Sequence, residues 1–299
     1  MRSILYIVNP VSGTKSKKNL QPYLEERTTA AGISCLVIPS VAGGDYSFLR
    51  PLLAEKKITD IVIAGGDGTV SQVIGSLLDL DLNFGIIPCG SGNGLAFAAG
   101  IPKQVEKAMD IILNGRALAT DGFEVNGHFA CMLCGLGFDA QVAHDFARQS
   151  KRGLATYVKQ VMRNFFKAKT YSFQIVISDK TLPVEAFFIS IANSNQYGNH
   201  FTIAPRASLR DGLLDVVIAA RQGKLSWIWQ TLKQISGKNQ PVPASNADGK
   251  KGLIYFQTEA ITVRNLTGAP LHIDGDPAGT LPELRFGVKK DCFRLLQRG

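Results

Sequence analysis

The residues with the clearest chemistry lie at 65–69, where the apolar run 61–64 breaks into Gly65, Gly66, Asp67, Gly68 and Thr69. A helix-forming pattern then resumes through Gln72, Val73, Ile74, Leu77 and Leu78. Glycine tolerates positive φ and lets a ligand approach the backbone, and a turn that opens a helix leaves amide hydrogens free for phosphate. Asp67 falls at the carboxyl end of a predicted strand, where open α/β sheets bind ligands. A tight turn without ligand is the plainer reading, but such a turn rarely needs three glycines and an acid. Two further polar turns have the same character: Asn9-Pro10-Val11-Ser12-Gly13 and Gly90-Ser91-Gly92-Asn93-Gly94.

Strand patterns at 4–8, 35–38, 61–64 and 84–87 alternate with helical ones at 20–31, 46–55, 70–80 and 105–113. Alternation of this kind predicts an α/β domain with a mostly parallel sheet. The three polar turns then fall on one edge of that sheet and collapse into one site. Lys15, Lys17 and Lys18 lie close by as a solvated basic run with charge available to phosphate. From Gly122 onward strands dominate, at 128–135, 172–177, 184–192, 214–219, 253–257, 260–264 and 271–273. The expected organisation is therefore an α/β domain over 1–120 and a β-rich, sandwich-like domain over 121–287, with the tail from about 288 to 299 packing back on the first. Residues 236–251, rich in Gly, Pro, Asn and Lys, read as a loop within the second domain.

Of 299 residues, 45% are hydrophobic and 19% charged, which fits a folded chain with ample core. The first apolar run is too short for a signal peptide or a membrane span. Five cysteines, an odd number among apolar neighbours, argue against a disulfide framework and for the cytoplasm. Cys131 and Cys134 form a C-x-x-C without a partner pair, so they read as buried thiols rather than a zinc or redox site. The net charge of +9 favours anionic partners. Nucleic acid is set aside, because no zinc-finger spacing or RNP-like aromatic motif accompanies the charge. Residues 151–169 have apolar positions at helical spacing among Lys and Arg, which fits a helix packed on the β domain or a basic helix on an anionic bilayer. Trp227 and Trp229 raise the same choice.

Taken together, these motifs resemble the diacylglycerol kinase catalytic-domain superfamily of lipid kinases. The resemblance spans nearly the whole chain and also draws on Gly135-Leu136-Gly137-Phe138-Asp139, Asp211-Gly212-Leu213-Leu214-Asp215 and Ile273-Asp274-Gly275-Asp276. It implies a first domain like that of NAD kinase and phosphofructokinase, with ATP over Asn9, Ser12, Gly13, the 65–71 turn with Gly65, Gly66, Asp67, Gly68, Thr69 and Ser71, and Gly90, Ser91 and Asn93. Ser40, ahead of Gly43-Gly44-Asp45, aligns with a family threonine near the nucleotide. Asp211 with main-chain oxygens of Ser208 and Leu213 corresponds to a structural magnesium site of many bacterial relatives. Relatives usually carry glutamate where Asp276 stands and use it as general base on the lipid hydroxyl. The Gly90–Asn93 loop is nearer the sphingosine-kinase form, in which an aspartate near Asp139 contacts the lipid amine, although Gly-Phe-Asp-Ala also occurs in relatives with no amine substrate.

The resulting expectation is an ATP- and Mg2+-dependent kinase that phosphorylates a hydroxyl of a diacylglycerol, phosphatidylglycerol or sphingoid type of lipid. Glycine-rich amides, a cation and one carboxylate suffice for phosphoryl transfer. Asp67 is a candidate to orient the metal or take the proton, and Asp276 is the other candidate base. The protein would work at the cytoplasmic membrane surface on anionic phospholipid, and a homodimer is compatible with the sequence. Two rivals stand beside it: a soluble NAD kinase that shares the Gly-Gly-Asp-Gly-Thr turn, and a sensor of the same fold without catalysis.

Overall fold

Four short runs of β-branched and aliphatic residues form the parallel strands β1 (Ser3–Val8), β2 (Ser34–Pro39), β3 (Asp60–Gly65) and β4 (Asn83–Pro88), ordered β2-β1-β3-β4. Every residue of β3 is buried, as expected of a parallel strand covered on both faces. The computed structural model describes residues 2–13, 19–141, 168–177, 180–196, 204–221, 226 and 252–299. Lys15, Lys17, Lys18, the helical pattern through 167, Trp227, Trp229 and the loop 236–251 lie outside the described residues. These residues divide into two units, Met1–Thr120 with Asp291–Gly299, and Asp121–Lys290.

In the first unit the connections are α1 (Leu20–Ala30), α2 (Arg50–Glu55), α3 (Asp67–Ser76), α4 (Gly94–Ala98) and α5 (Val105–Asn114). Ile4, Tyr6, Leu24, Val62, Ala64, Ile87, Met109 and Ile112 make its core. The helix expected over 46–55 is divided into a 3-10 turn, Ser47–Leu49, and α2. Pro51 explains the division: it lacks an N–H and is accepted only in the first turn of a helix, which is where α2 places it. The helix expected from residue 70 begins instead at Asp67, because Gly66 has extended backbone and ends the strand cleanly.

The second unit holds β6 (His128–Ala130), β7 (Leu133–Gly137), β8 (Tyr171–Ile177), β9 (Lys180–Ala192), β10 (Leu214–Ala220), β11 (Leu253–Thr258), β12 (Ala260–Asn265), β13 (Leu271–Ile273) and β14 (Asp276–Pro277), with the residues of β5 (Arg116–Val125) from 121 on and those of β15 (Glu283–Gln297) up to 290. Its pairings are antiparallel, and β9 is central, with β7, β8 and β10 all bonded to it. Phe123, Phe173, Ile175, Ile191, Val216 and Phe256 lie in its core. At the end of the chain, Arg294 and Leu295 pair in parallel with Asn83 and Phe84 of β4, within the first unit. The expected α/β domain with parallel strands followed by a β-rich domain is the architecture found.

One buried acid in this core makes a pH-dependent contribution. Asp215 of β10 is fully buried, receives the Tyr255 hydroxyl and accepts from Gln257 Nε2 at 3.1 Å. Burial raises its carboxyl to about 6, with the two hydrogen bonds pulling the other way. A raised acid favours the protonated fold, so its contribution is complete below the unfolded value near 4 and is lost as pH rises to about 6. Asp215→Asn should therefore gain roughly 3 kcal/mol on the wild type between pH 4 and 7. Urea unfolding of both proteins at those two pH values measures this difference, and parallel curves would refute it.

Candidate active site

The carboxyl ends of the four parallel strands are level. Val8 lies beside Pro39 and Ala64, and Ala64 beside Ile87. The ladder continues one step beyond the strands, with Asn9 N donating to Ala64 O, Ser40 N to Val8 O and Cys89 N to Gly65 O, each at 2.9 Å. Asn9, Ser40, Gly65 and Pro88 thus stand in one row across the sheet edge, with Cys89 one step beyond it. The loops rising from this row carry the first-domain residues singled out in the sequence, and the structure brings them together.

Backbone contact holds those loops in place. A Cβ on Gly90 would sit 2.5 Å from Gly66 Cα, so the turns after β3 and β4 touch main chain to main chain. Gly13 has φ +71° and faces the Cys89 carbonyl, into which a side chain would collide. Asn9 Nδ2 donates to Thr69 Oγ1 at 2.8 Å, joining the first turn to the start of α3, while Asn9 Oδ1 accepts from Val11 N at 3.0 Å. Ser12 Oγ donates to the Asn9 carbonyl at 3.2 Å. Asn93, left-handed at φ +60°, accepts from Gly90 N and donates to Gly90 O, so its side chain closes the 90–93 loop. Ser71 is buried in α3 and Ser91 is half-buried.

Asp67 is the first residue of α3, and its carboxylate is half-buried and accepts from Leu95 N at 3.3 Å. A helix N-terminus favours negative charge on the side chain and on any phosphate placed there. Gly68 follows it, half-buried in the first helical turn.

The remaining candidates belong to the second unit. Asp274 is left-handed at φ +48°, and its buried carboxylate accepts from the N–H groups of Cys131, Met132 and Leu133, each at 2.9 Å. This turn of the backbone inward divides the strand expected over 128–135 into β6 and β7. Asp276 is exposed on β14, two residues on. Asp139 is not a free carboxylate: its Oδ2 lies 3.1 Å from His272 Nε2. Asp211 accepts from Leu213 N at 3.1 Å in an exposed turn, and desolvation, then the charge of Asp121, raises its carboxyl. Asp121 Oδ2 in turn accepts from Gly212 N at 2.8 Å, and Ser208 Oγ accepts from Arg210 N at 3.3 Å. Two neighbouring acids beside main-chain oxygens suit a hard cation with oxygen ligands. Among the described residues, no cluster of three His, Cys, Asp or Glu side chains could hold a metal without main-chain oxygens. Cys131 and Cys134 are buried thiols outside any disulfide, with Cys131 Sγ 3.6 Å from Asp274 Oδ2, and burial pushes the Cys134 thiol well up.

Sequence reading included Asp274 in the 273–276 motif without a role for it, and missed His272 and Asp121. Their roles depend on partners more than 90 positions away, as with Asp121 and Gly212 or Asp274 and Cys131, and no local pattern marks such a pair.

Residues 3–125 match the diacylglycerol kinase catalytic domain family, and 133–296 match the YegS C-terminal NAD kinase beta sandwich-like domain family. The chain belongs to the diacylglycerol kinase superfamily of lipid kinases. It is similar to the diacylglycerol kinase of Bacillus subtilis (strain 168), with 26% identity over 287 residues covering 94% of this chain and 92% of that one. It is also 26% identical over 257 residues to a probable lipid kinase YegS-like of Chromohalobacter salexigens, covering 84% of this chain and 80% of the relative. A solved diacylglycerol kinase from Bacillus anthracis str. Sterne shares the fold, with TM-score 0.73, 17% identity and coverage of 99% and 97%.

Proposed function

We propose that the protein transfers the γ-phosphoryl group of ATP to a hydroxyl of a membrane lipid, with Mg2+ as cofactor. The observation that carries this reading is the level row of loops at the sheet edge, with Asp67 at the N-terminus of α3. Phosphate groups would lie over the amides of Gly65 to Thr69 and of the 90–93 loop, near Asn9, Ser12, Gly13 and Ser40. Asp67 is the carboxylate able to hold a magnesium ion against them, and that ion, when bound, neutralises charge developing on the transferred group. Asp211, with oxygens of Ser208 and Leu213, is suited to hold a second, structural ion. Asp276 would accept the proton of the lipid hydroxyl. An unperturbed carboxylate is far more acidic than an alcohol, so that transfer must be late and coupled to phosphoryl movement.

The net charge of +9 supports work on an anionic membrane surface. No helix among the described residues is long and apolar enough to cross a bilayer.

Purified protein incubated with labelled ATP, Mg2+ and a total lipid extract should yield labelled phospholipid, identified by mass spectrometry. Asp276→Ala should reduce turnover about 100-fold or more, in the range of a lost general base, while Asp276→Glu, the residue usual among relatives, should retain most of it. Label on NAD and none on lipid would favour a soluble NAD kinase instead. Tight ATP binding with no turnover of any lipid would mark a sensor.

A further inference from the structure

The His272 side chain is 3% exposed, and both ring nitrogens are engaged. Nδ1 accepts from Gly275 N at 3.3 Å, while Nε2 lies 3.1 Å from Asp139 Oδ2. A nitrogen that accepts carries no proton, so in the neutral ring the hydrogen sits on Nε2 and points at the carboxylate. The imidazole therefore spans from the end of β7 to the β13–β14 turn. Gly135 of β7 faces the pair, and a Cβ there would strike both Asp139 Oδ2 and His272 Nε2.

Gly275, at φ +87°, sits in the middle of that turn, and Asp276 is the next residue. The main chain pairs across this turn, with Ala278 N donating to Leu271 O at 2.9 Å and Asp274 N to Leu133 O at 2.8 Å. Two side chains add to that support: Asp274 accepts the amides of 131–133 at one side, and His272 the Gly275 amide at the other.

We propose that His272, oriented by Asp139, is a positioning residue for Asp276 in phosphoryl transfer. This inference rests on the reading of Asp276 as the base for the lipid hydroxyl. Asp139 is then occupied in holding the imidazole rather than in reading a lipid headgroup. The side chain of Asp276 is short, so where its carboxylate stands follows the backbone of this turn, which the imidazole holds at the Gly275 amide.

The test is a kinetic cycle on the full chain with ATP and lipid vesicles, each kcat normalised to the folded fraction from circular dichroism. His272→Leu should lower kcat ~30-fold, with both KM values within about twofold, as a misplaced reacting group does. His272→Asn places an acceptor where Nδ1 stood and should restore kcat to within about threefold of wild type. In the Asp276→Ala background, His272→Leu should cost nothing further, because the two residues act as a unit. Wild-type kcat in His272→Leu, no rescue by His272→Asn, or an undiminished loss in the Asp276→Ala background would each overturn the proposal. Full kcat in Asp276→Ala alone overturns the reading of Asp276 itself, and the positioning role falls with it.

Discussion

Asp67→Asn should abolish lipid phosphorylation, lowering kcat by about three orders of magnitude, while the protein stays folded. The substitution keeps the shape of the side chain and an oxygen for the Leu95 amide, 3.3 Å away in the wild type. It removes the one carboxylate at the N-terminus of α3. Preorganised charge at a phosphoryl site is worth on the order of 3–4 kcal/mol, which sets the size of the loss. Raising Mg2+ should recover part of the rate if metal affinity is what fails, and none of it if proton transfer fails. A melting temperature within a few degrees of wild type is expected, since the loss of a half-buried charge at a helix start costs only about 0.3–1 kcal/mol. Wild-type turnover in this variant would remove Asp67 from the mechanism.

Asp274→Ala should produce the largest loss of stability, about 3–5 kcal/mol. Its carboxylate is the common acceptor for three successive amides, and truncation leaves all three buried donors without it. Asp274→Asn should fall between the two: its oxygen can keep Met132 and Leu133, which share Oδ1, while its amide would oppose Cys131 N–H. Denaturant unfolding with an unchanged m-value would resolve the three proteins. Equal midpoints for wild type and Asp274→Ala would show that the carboxylate does not hold this turn.

The sequence was most informative where a local rule sufficed. Buried parallel strands must be continuous apolar runs, so the cores of β1 to β4 were legible within one or two residues. The glycine turns were legible because backbone conformation and close approach limit residue choice, as at Gly13 and Gly90. Strands that depend on distant partners were harder. The division between β6 and β7 follows from Asp274, and nothing in 128–135 announces it. β5 was hidden because its first residues alternate with little hydrophobic contrast. β15 was missed because Lys289, Lys290 and Asp291 interrupt its apolar pattern, although the chain continues extended through them. Asp139 was visible as an acid in a glycine-rich segment, but its commitment to His272 became apparent only in three dimensions.

The contact between Gly66 and Gly90 bears on how this scaffold could be redesigned. With the two backbones in contact, neither turn can be resized alone; a graft into one requires a matching change in the other. Gly43 is different, since a side chain there meets nothing within 4 Å. Libraries that vary the loop behind Ser40 should therefore start at Gly43 and leave untouched the glycine pair and the left-handed Gly44, where a Cβ would lie 2.9 Å from the Gln72 side chain.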